Sequence, residues 1–214
     1  MVITHQRKTW EEEFGEGYLE RNVYNPKELN DFYLQRFGIS KDTMNNNFLQ
    51  DIPKDAKILE VGTNIGNQLL HLQSQGFTNL YGIEIQDRAI NYSKNRTNNL
   101  NIIKGDALDI PFKDNYFDVV FTHGVLIHIS PENITTAINE IFRVTNKYIW
   151  GLEYYADTYT DLEYHGQKNI MWKNNFAKLF LDTHSDAVIL SEKKYQYLDN
   201  PSLEDQMYLL RCKE

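Results

Sequence analysis

In the stretch Ile58-Leu59-Glu60-Val61-Gly62-Thr63-Asn64-Ile65-Gly66, an apolar run reaches a carboxylate and turns through two glycines into Asn67-Gln68-Leu69-Leu70. Strand, glycine turn and helix in that order make a nucleotide-binding unit, because Gly62 and Gly66 let the backbone turn sharply and approach a ligand closely. The dinucleotide fingerprint would place a glycine where Asn64 stands, and a carboxylate at Glu60 would repel a pyrophosphate while suiting an ammonium group. Glu84 falls 24 residues after Glu60 and closes the run Leu80-Tyr81-Gly82-Ile83. An ionised carboxylate at the end of a second strand offers two acceptor oxygens to the two hydroxyls of a ribose. In Lys104-Gly105-Asp106-Ala107, Asp106 is suited to accept from an adenine amino group, and the Ala107 N–H to donate to a ring nitrogen. These residues together suit an adenosine-bearing ligand.

A second set of residues suits proton transfer. His128 follows the fourth apolar run in Gly124-Val125-Leu126-Ile127-His128, and Glu153 closes the fifth in Gly151-Leu152-Glu153. Either can serve as a general base, the imidazole titrating in the useful range; His123 and His165 stand behind them. Tyr154, Tyr155, Tyr159 and Tyr164 crowd the same part of the chain, and rings with polar tips suit a sugar or another polar ring. His123 and His128 lack the i, i+4 spacing of a helical metal pair and have no carboxylate cluster beside them, so no metal site is expected.

The elements that must position these groups alternate. Apolar runs predict strands over 57–61, 79–85, 101–104, 117–122 and 146–152, with helices over 66–76, 86–97 and 131–142 between them. Such alternation implies a parallel sheet with right-handed crossovers. A helix over 172–182 then leads to the strand-like runs 187–197 and 205–212, joined by Leu198-Asp199-Asn200-Pro201-Ser202-Leu203-Glu204, which reads as an antiparallel hairpin. Residues 9–51 read as mostly helical. Thr9 is the expected N-cap of the first helix, Pro26 a first-turn residue and Gly38 a C-terminal stop. Trp10, Phe14 and Tyr18 share the four-residue spacing of one helix face.

Composition bounds the partners. The chain has 214 residues, 41% of them hydrophobic and 24% charged, which suits one globular domain with an extension. A net charge of −8 disfavours a nucleic-acid partner, since binding would begin from repulsion. The single cysteine, Cys212, excludes a disulfide within the chain. No run reaches membrane-spanning length and the N-terminus has no apolar leader, so a cytoplasmic protein is expected.

The segments EVGTNIGNQ, GIE and GDALDIPFKDNYFDVVF resemble the motifs of the class I S-adenosylmethionine-dependent methyltransferases. More narrowly, EFGEGYLERN, EVGTNIGNQ, GVLIHISPENI, LEYY and KNNFAKLF are similar to the pseudaminic acid biosynthesis-associated methylases. The resemblance implies an α/β, Rossmann-like fold: a mainly parallel sheet with a C-terminal antiparallel hairpin over residues 51–214, preceded by a helical extension or lid over residues 1–50. It implies S-adenosyl-L-methionine as cofactor and S-adenosyl-L-homocysteine as product, with Glu60 on the ammonium side. Beside it, Trp10, Phe14, Tyr18 and Arg21 suit a lid in which Arg21 pairs the methionine carboxylate. It also implies a small polar acceptor, a sugar or nucleotide-linked sugar, methylated on oxygen or nitrogen. Two other readings stand beside it: a catalytically silent module that binds the cofactor, and an NAD-dependent oxidoreductase, which Asn64 and Glu60 disfavour.

Overall fold

The computed structural model describes residues 5–11, 17, 19, 21–97, 99–163, 166 and 168–212. Phe14, Tyr18, Tyr164 and His165 lie outside the described residues. The chain divides into two compact units, Met1–Asp106 and Ala107–Glu214.

The first unit opens with helix α1 (His5–Glu11). Thr9 therefore lies inside the helix and is not its N-cap; nothing in His5-Gln6-Arg7-Lys8 breaks a helix, and the first turn forms ahead of the hydroxyl. Helix α2 (Pro26–Phe37) has both expected boundary signals. Pro26 sits in the first turn, and Gly38 closes the helix in the left-handed region at φ 70°. Its start is reinforced by a capping box in which the Asn25 side chain accepts from the Glu28 N–H and the Glu28 carboxylate accepts from the Asn25 N–H. Helix α3 (Lys41–Leu49) starts on Ser40, whose Oγ accepts from the Thr43 N–H.

Strand β1 (Lys57–Val61), helix α4 (Asn67–Ser74), strand β2 (Asn79–Glu84), helix α5 (Asp87–Arg96) and strand β3 (Asn101–Lys104) follow in alternation. The three strands are parallel in the order β3-β2-β1, with Glu60 opposite Gly82. Ile58, Leu59, Val61, Leu80 and Ile83 are fully buried in the strands, and Leu69 and Leu72 close the layer from α4. Strands buried on both faces read as continuous apolar runs, which is why β1 was visible in the sequence without alternation.

The second unit holds strand β4 (Phe117–His123), a single 3-10 turn (Leu126–His128), helix α6 (Ile134–Val144) and strand β5 (Thr145–Tyr154). Helix α6 buries Ile134, Ala137, Ile138, Ile141 and Val144, the spacing of one helix face. Two short strands, β6 (Thr160–Asp161) and β7 (Trp172–Lys173), pair antiparallel, and helix α7 (Phe176–Thr183) follows. The helix expected from 172 thus begins only at Phe176, because Trp172 and Lys173 are held in the β6–β7 ladder and the Asn175 side chain caps the Lys178 N–H. Strands of two residues leave no periodicity to read. Strands β8 (Val188–Gln196) and β9 (Glu204–Arg211) form the expected antiparallel hairpin. The order is β4-β5-β9-β8, with β4 and β5 parallel and β9 antiparallel to β5. The architecture is α/β and Rossmann-like: strands alternating with helices and mainly parallel, a helical N-terminal region, and a terminal antiparallel hairpin.

Candidate functional site

The turn after β1 is shaped by backbone conformation. Gly62 and Gly66 sit at φ 71° and 82°, a region nearly closed to other residues, and Asn64 occupies it as well at φ 49°. Asparagine tolerates the left-handed region better than most side chains, so the place that the dinucleotide fingerprint gives to glycine is filled here without a change of path. The Gly62 and Thr63 N–H groups both donate to the Ile83 carbonyl, at 2.9 and 3.0 Å, fixing the turn on the end of β2.

Glu60 is 3% exposed and accepts from the Thr63 hydroxyl at 2.6 Å. Burial pushes its carboxyl up to about 8; the Thr63 bond and the Lys41 charge oppose the rise, and the Glu84 charge adds to it. Thr63 was not singled out in the sequence, yet it alone supplies Glu60 with a hydrogen bond among the described residues. Its place depends on Gly82: a Cβ there would lie 2.7 Å from Thr63 Cγ2 and 2.9 Å from Thr63 Cβ.

Glu84 is buried, and three backbone amides meet it. Oε2 accepts from the Asn64 N–H at 2.8 Å; Oε1 accepts from Ile85 at 2.8 Å and Gln86 at 3.0 Å. Burial raises its pKa, and those three bonds oppose the rise. A carboxylate offers about four acceptor positions, so roughly one is left for a ligand hydroxyl. Close to it in the chain, Gln86 is 6% exposed and its side-chain oxygen Oε1 is buried with no hydrogen-bond donor; Asn64 Oδ1 is in the same condition. Gln86 occupies the N-cap position of α5 but makes no capping bond. That poor cap residue two positions after a strand-end acid is the signal that could have pointed to it. Orphaned, buried acceptors of this kind fit a ligand that brings hydroxyls and an ammonium.

Asp106 is 8% exposed, and Gly105 before it donates its N–H to the Glu84 carbonyl at 3.0 Å. The Asp106 carboxylate is paired with Arg7 Nη1 from α1 at 2.9 Å. Ala107 is part-exposed and begins the second unit. Arg21 is exposed, with its Nη1 3.1 Å from where a Cβ on Gly17 would stand.

In the second unit, His128 closes the 3-10 turn, and its Nδ1 lies 3.1 Å from the Ile170 carbonyl. A carbonyl only accepts, so Nδ1 carries the proton and Nε2 the lone pair. Burial pushes the imidazole down to about 4, so it is neutral at physiological pH. Glu153 is 1% exposed and accepts from the Val125 N–H at 3.2 Å and the Ile127 N–H at 3.4 Å. Burial lifts its carboxyl to about 7 against those amides and Thr122. The two carboxylate oxygens therefore hold the backbone of the turn that carries His128. Tyr155 is engaged by Asp157 at its hydroxyl and by Lys194 Nζ 3.4 Å above its ring. Burial pushes the Tyr159 phenol up to about 12, so it stays neutral. Among the described residues no three His, Cys, Asp or Glu side chains come together as a metal site.

Comparison with known proteins assigns this framework. Residues 59–148 match the family described as a methyltransferase domain. The phosphoethanolamine N-methyltransferase of Plasmodium falciparum is 25% identical over 102 residues, covering 46% of this chain and 37% of that protein. The chain spans well under half the length of the curated relatives it matches. Among solved structures, the fold matches a chain of the complex between the Haloferax volcanii Trm112 methyltransferase activator and a methyltransferase, with TM-score 0.71, 13% identity and 97% of each chain covered. It also matches an S-adenosylmethionine-dependent methyltransferase of Anabaena variabilis, with TM-score 0.69, 15% identity, and 98% of this chain and 96% of that one covered. Residues 59–148 thus resemble a methyltransferase domain, and the fold is one shared with S-adenosylmethionine-dependent methyltransferases.

Proposed function

We propose that the whole chain is a class I S-adenosylmethionine-dependent methyltransferase acting on a hydroxyl or amine of a small polar molecule. The acceptor is a sugar or nucleotide-linked sugar, as the motif likeness to the pseudaminic acid biosynthesis-associated methylases implies. The observation that carries the cofactor reading is the set of acceptor oxygens in the first unit, those of Glu60, Asn64, Glu84 and Gln86. An ammonium and two ribose hydroxyls are the donors such a set would take, and a pyrophosphate, which brings only acceptors, would find no donor among them. On this reading residues 51–214 form the catalytic domain and residues 1–50 its extension.

When bound, S-adenosylmethionine supplies a methyl group already activated by a positive sulfur. Glu60 takes the ammonium side, and Gly62 and Gly66 give it room. Asn64 holds the turn in its left-handed conformation. Glu84 Oε2 takes one ribose hydroxyl and Gln86 Oε1 the other, which spares the amides already bound to Glu84. Asp106 and the Ala107 N–H read the adenine edge, and Arg21 pairs the methionine carboxylate. His128 accepts the proton of the acceptor at Nε2, its neutral state secured by burial and its orientation by Ile170. Glu153 contributes by fixing the turn on which His128 stands. Most of the work is positioning and exclusion of water. The net charge of −8 favours a small-molecule acceptor over nucleic acid, and no helix among the described residues is long and apolar enough to cross a membrane.

The test is methyl capture from labelled S-adenosylmethionine across nucleotide-linked sugars, free amino sugars and short peptides. Incorporation into a sugar supports the full reading. Incorporation into peptide alone overturns the acceptor and leaves the enzyme. Cofactor binding with no transfer to any acceptor favours the silent module, and NADH binding tighter than S-adenosylhomocysteine favours the oxidoreductase.

A further inference from the structure

We infer that Arg7 is a positioning residue for adenine recognition, acting through Asp106. The two residues lie 99 positions apart, yet Arg7 Nη1 stands 2.9 Å from Asp106 Oδ2, with side chains only 16% and 10% exposed. Both belong to the first unit. A pair so far from solvent is screened little, and its geometry constrains both side chains.

Further along the first unit, Leu19, Asn22 and Tyr24 are anchored on the glycine turn. Leu19 is buried in a cluster with Ile65 of that turn and Ala89 of α5. Asn67, the first residue of α4, donates from Nδ2 to the Asn22 carbonyl at 2.6 Å and accepts from the Tyr24 N–H at 3.3 Å. Arg96 of α5 bonds the same Asn67 oxygen at 2.7 Å and also the Tyr24 carbonyl. Apolar packing and a polar clasp therefore fix Leu19, Asn22 and Tyr24 to the elements that form the glycine turn.

Asp106 follows Gly105 just beyond the end of β3 and is 8% exposed, so its carboxylate has little room in which to stand. The guanidinium commits Oδ2 and so sets where Oδ1 stands. With about four acceptor positions on a carboxylate, this pairing and acceptance from an adenine amino group coexist. Arg7 thus sharpens selection of adenine over a base that presents a carbonyl at the same edge.

The inference rests on the reading of Asp106 as the adenine partner, and the experiment separates the two. Calorimetry would give dissociation constants of S-adenosylhomocysteine and S-inosylhomocysteine for wild type, Arg7→Ala, Arg7→Lys and Asp106→Ala. Arg7→Ala is expected to weaken S-adenosylhomocysteine about tenfold, the size of one charge-assisted hydrogen bond, with S-inosylhomocysteine changed less than about twofold and Arg7→Lys recovering part of the preference. The ratio of the two constants does not depend on the fraction of protein that is folded. Equal losses for both ligands, or no loss for either, would overturn the role of Arg7. If Asp106→Ala abolishes the preference while Arg7→Ala keeps it, only Arg7 is misassigned. If Asp106→Ala keeps the preference, the reading of Asp106 falls and takes the inference with it.

Discussion

Glu60 makes a measurable claim because its carboxyl is pushed from an ordinary 4.5 up to about 8 in the folded chain, chiefly by burial. Between those values the native state holds a proton that the unfolded chain releases, so this residue's contribution to stability falls as pH rises through the window. At pH 7 the loss is roughly 3 kcal/mol, against about 1 kcal/mol at pH 5, from about 1.36 kcal/mol per pKa unit. Glu60→Gln keeps an acceptor for the Thr63 hydroxyl and removes the ionisation. The variant is therefore expected to match wild type within about 1 kcal/mol at pH 5 and to exceed it by about 3 kcal/mol near pH 7, read by urea denaturation. Cofactor affinity should move the other way, since glutamine cannot offer a charge to an ammonium. In wild type that ammonium favours the ionised carboxylate, so binding near pH 7 releases a proton, visible in calorimetry as a dependence on buffer ionisation heat that the variant lacks. Stability curves of variant and wild type that run parallel in pH would refute the reasoning, whatever happened to binding.

Other expectations follow from single contacts. Gly82→Ala would press a methyl group 2.7 Å from Thr63 Cγ2, lowering stability by roughly 1–3 kcal/mol in thermal melts and raising the KM for S-adenosylmethionine. With the His128 imidazole held down to about 4, the acid limb of kcat/KM should lie near pH 4, and a limb at 6.5 would contradict its burial. That depressed pKa also makes His128 stabilising above pH 6.5, a contribution lost as pH falls toward 4. Replacing His128 by alanine should lower kcat by about 10²–10⁴ while S-adenosylhomocysteine binds as before in calorimetry. Glu153→Gln leaves one acceptor oxygen where two now hold Val125 and Ile127; kcat should fall with cofactor affinity unchanged, and a variant with full kcat would dismiss the turn as a support for His128.

What the sequence made legible followed from how local each signal is. β1, the glycine turn and α4 were readable because burial on both faces gives a continuous apolar run and because positive φ at Gly62 and Gly66 restricts residue choice. Pro26 and Gly38 announced the ends of α2 for the same kind of reason. The early start of α1 was hidden, since a threonine followed by Trp10 and three glutamates reads as a cap even where it stands inside the helix, and β6 and β7 were too short for any period. At the candidate site, the acids Glu60, Glu84 and Asp106 declared themselves by strand-end position. Their partners did not. Thr63 is an ordinary hydroxyl until it is seen 2.6 Å from a buried carboxylate, and Gln86 is a surface-type residue until its oxygen is found buried without a donor. Arg7 is separated from Asp106 by 99 positions, beyond the reach of any reading by periodicity.

Burial raises the pKa of Glu60, Glu84 and Glu153 alike, and a core built for stability alone would place apolar side chains there. They differ in how the fold supplies them. Glu84 meets three backbone amides, and Glu153 meets the amides of the turn before His128. Each therefore has a structural use that the rest of the chain depends on. Glu60 receives one hydroxyl bond among the described residues and leaves most of its acceptor capacity unused. In the unliganded protein a proton makes up the difference near neutral pH, as its raised pKa requires. Of the three, it is the carboxylate best matched to an arriving cation, and an ammonium is the one cationic donor group of S-adenosylmethionine that can fill several acceptor positions at once.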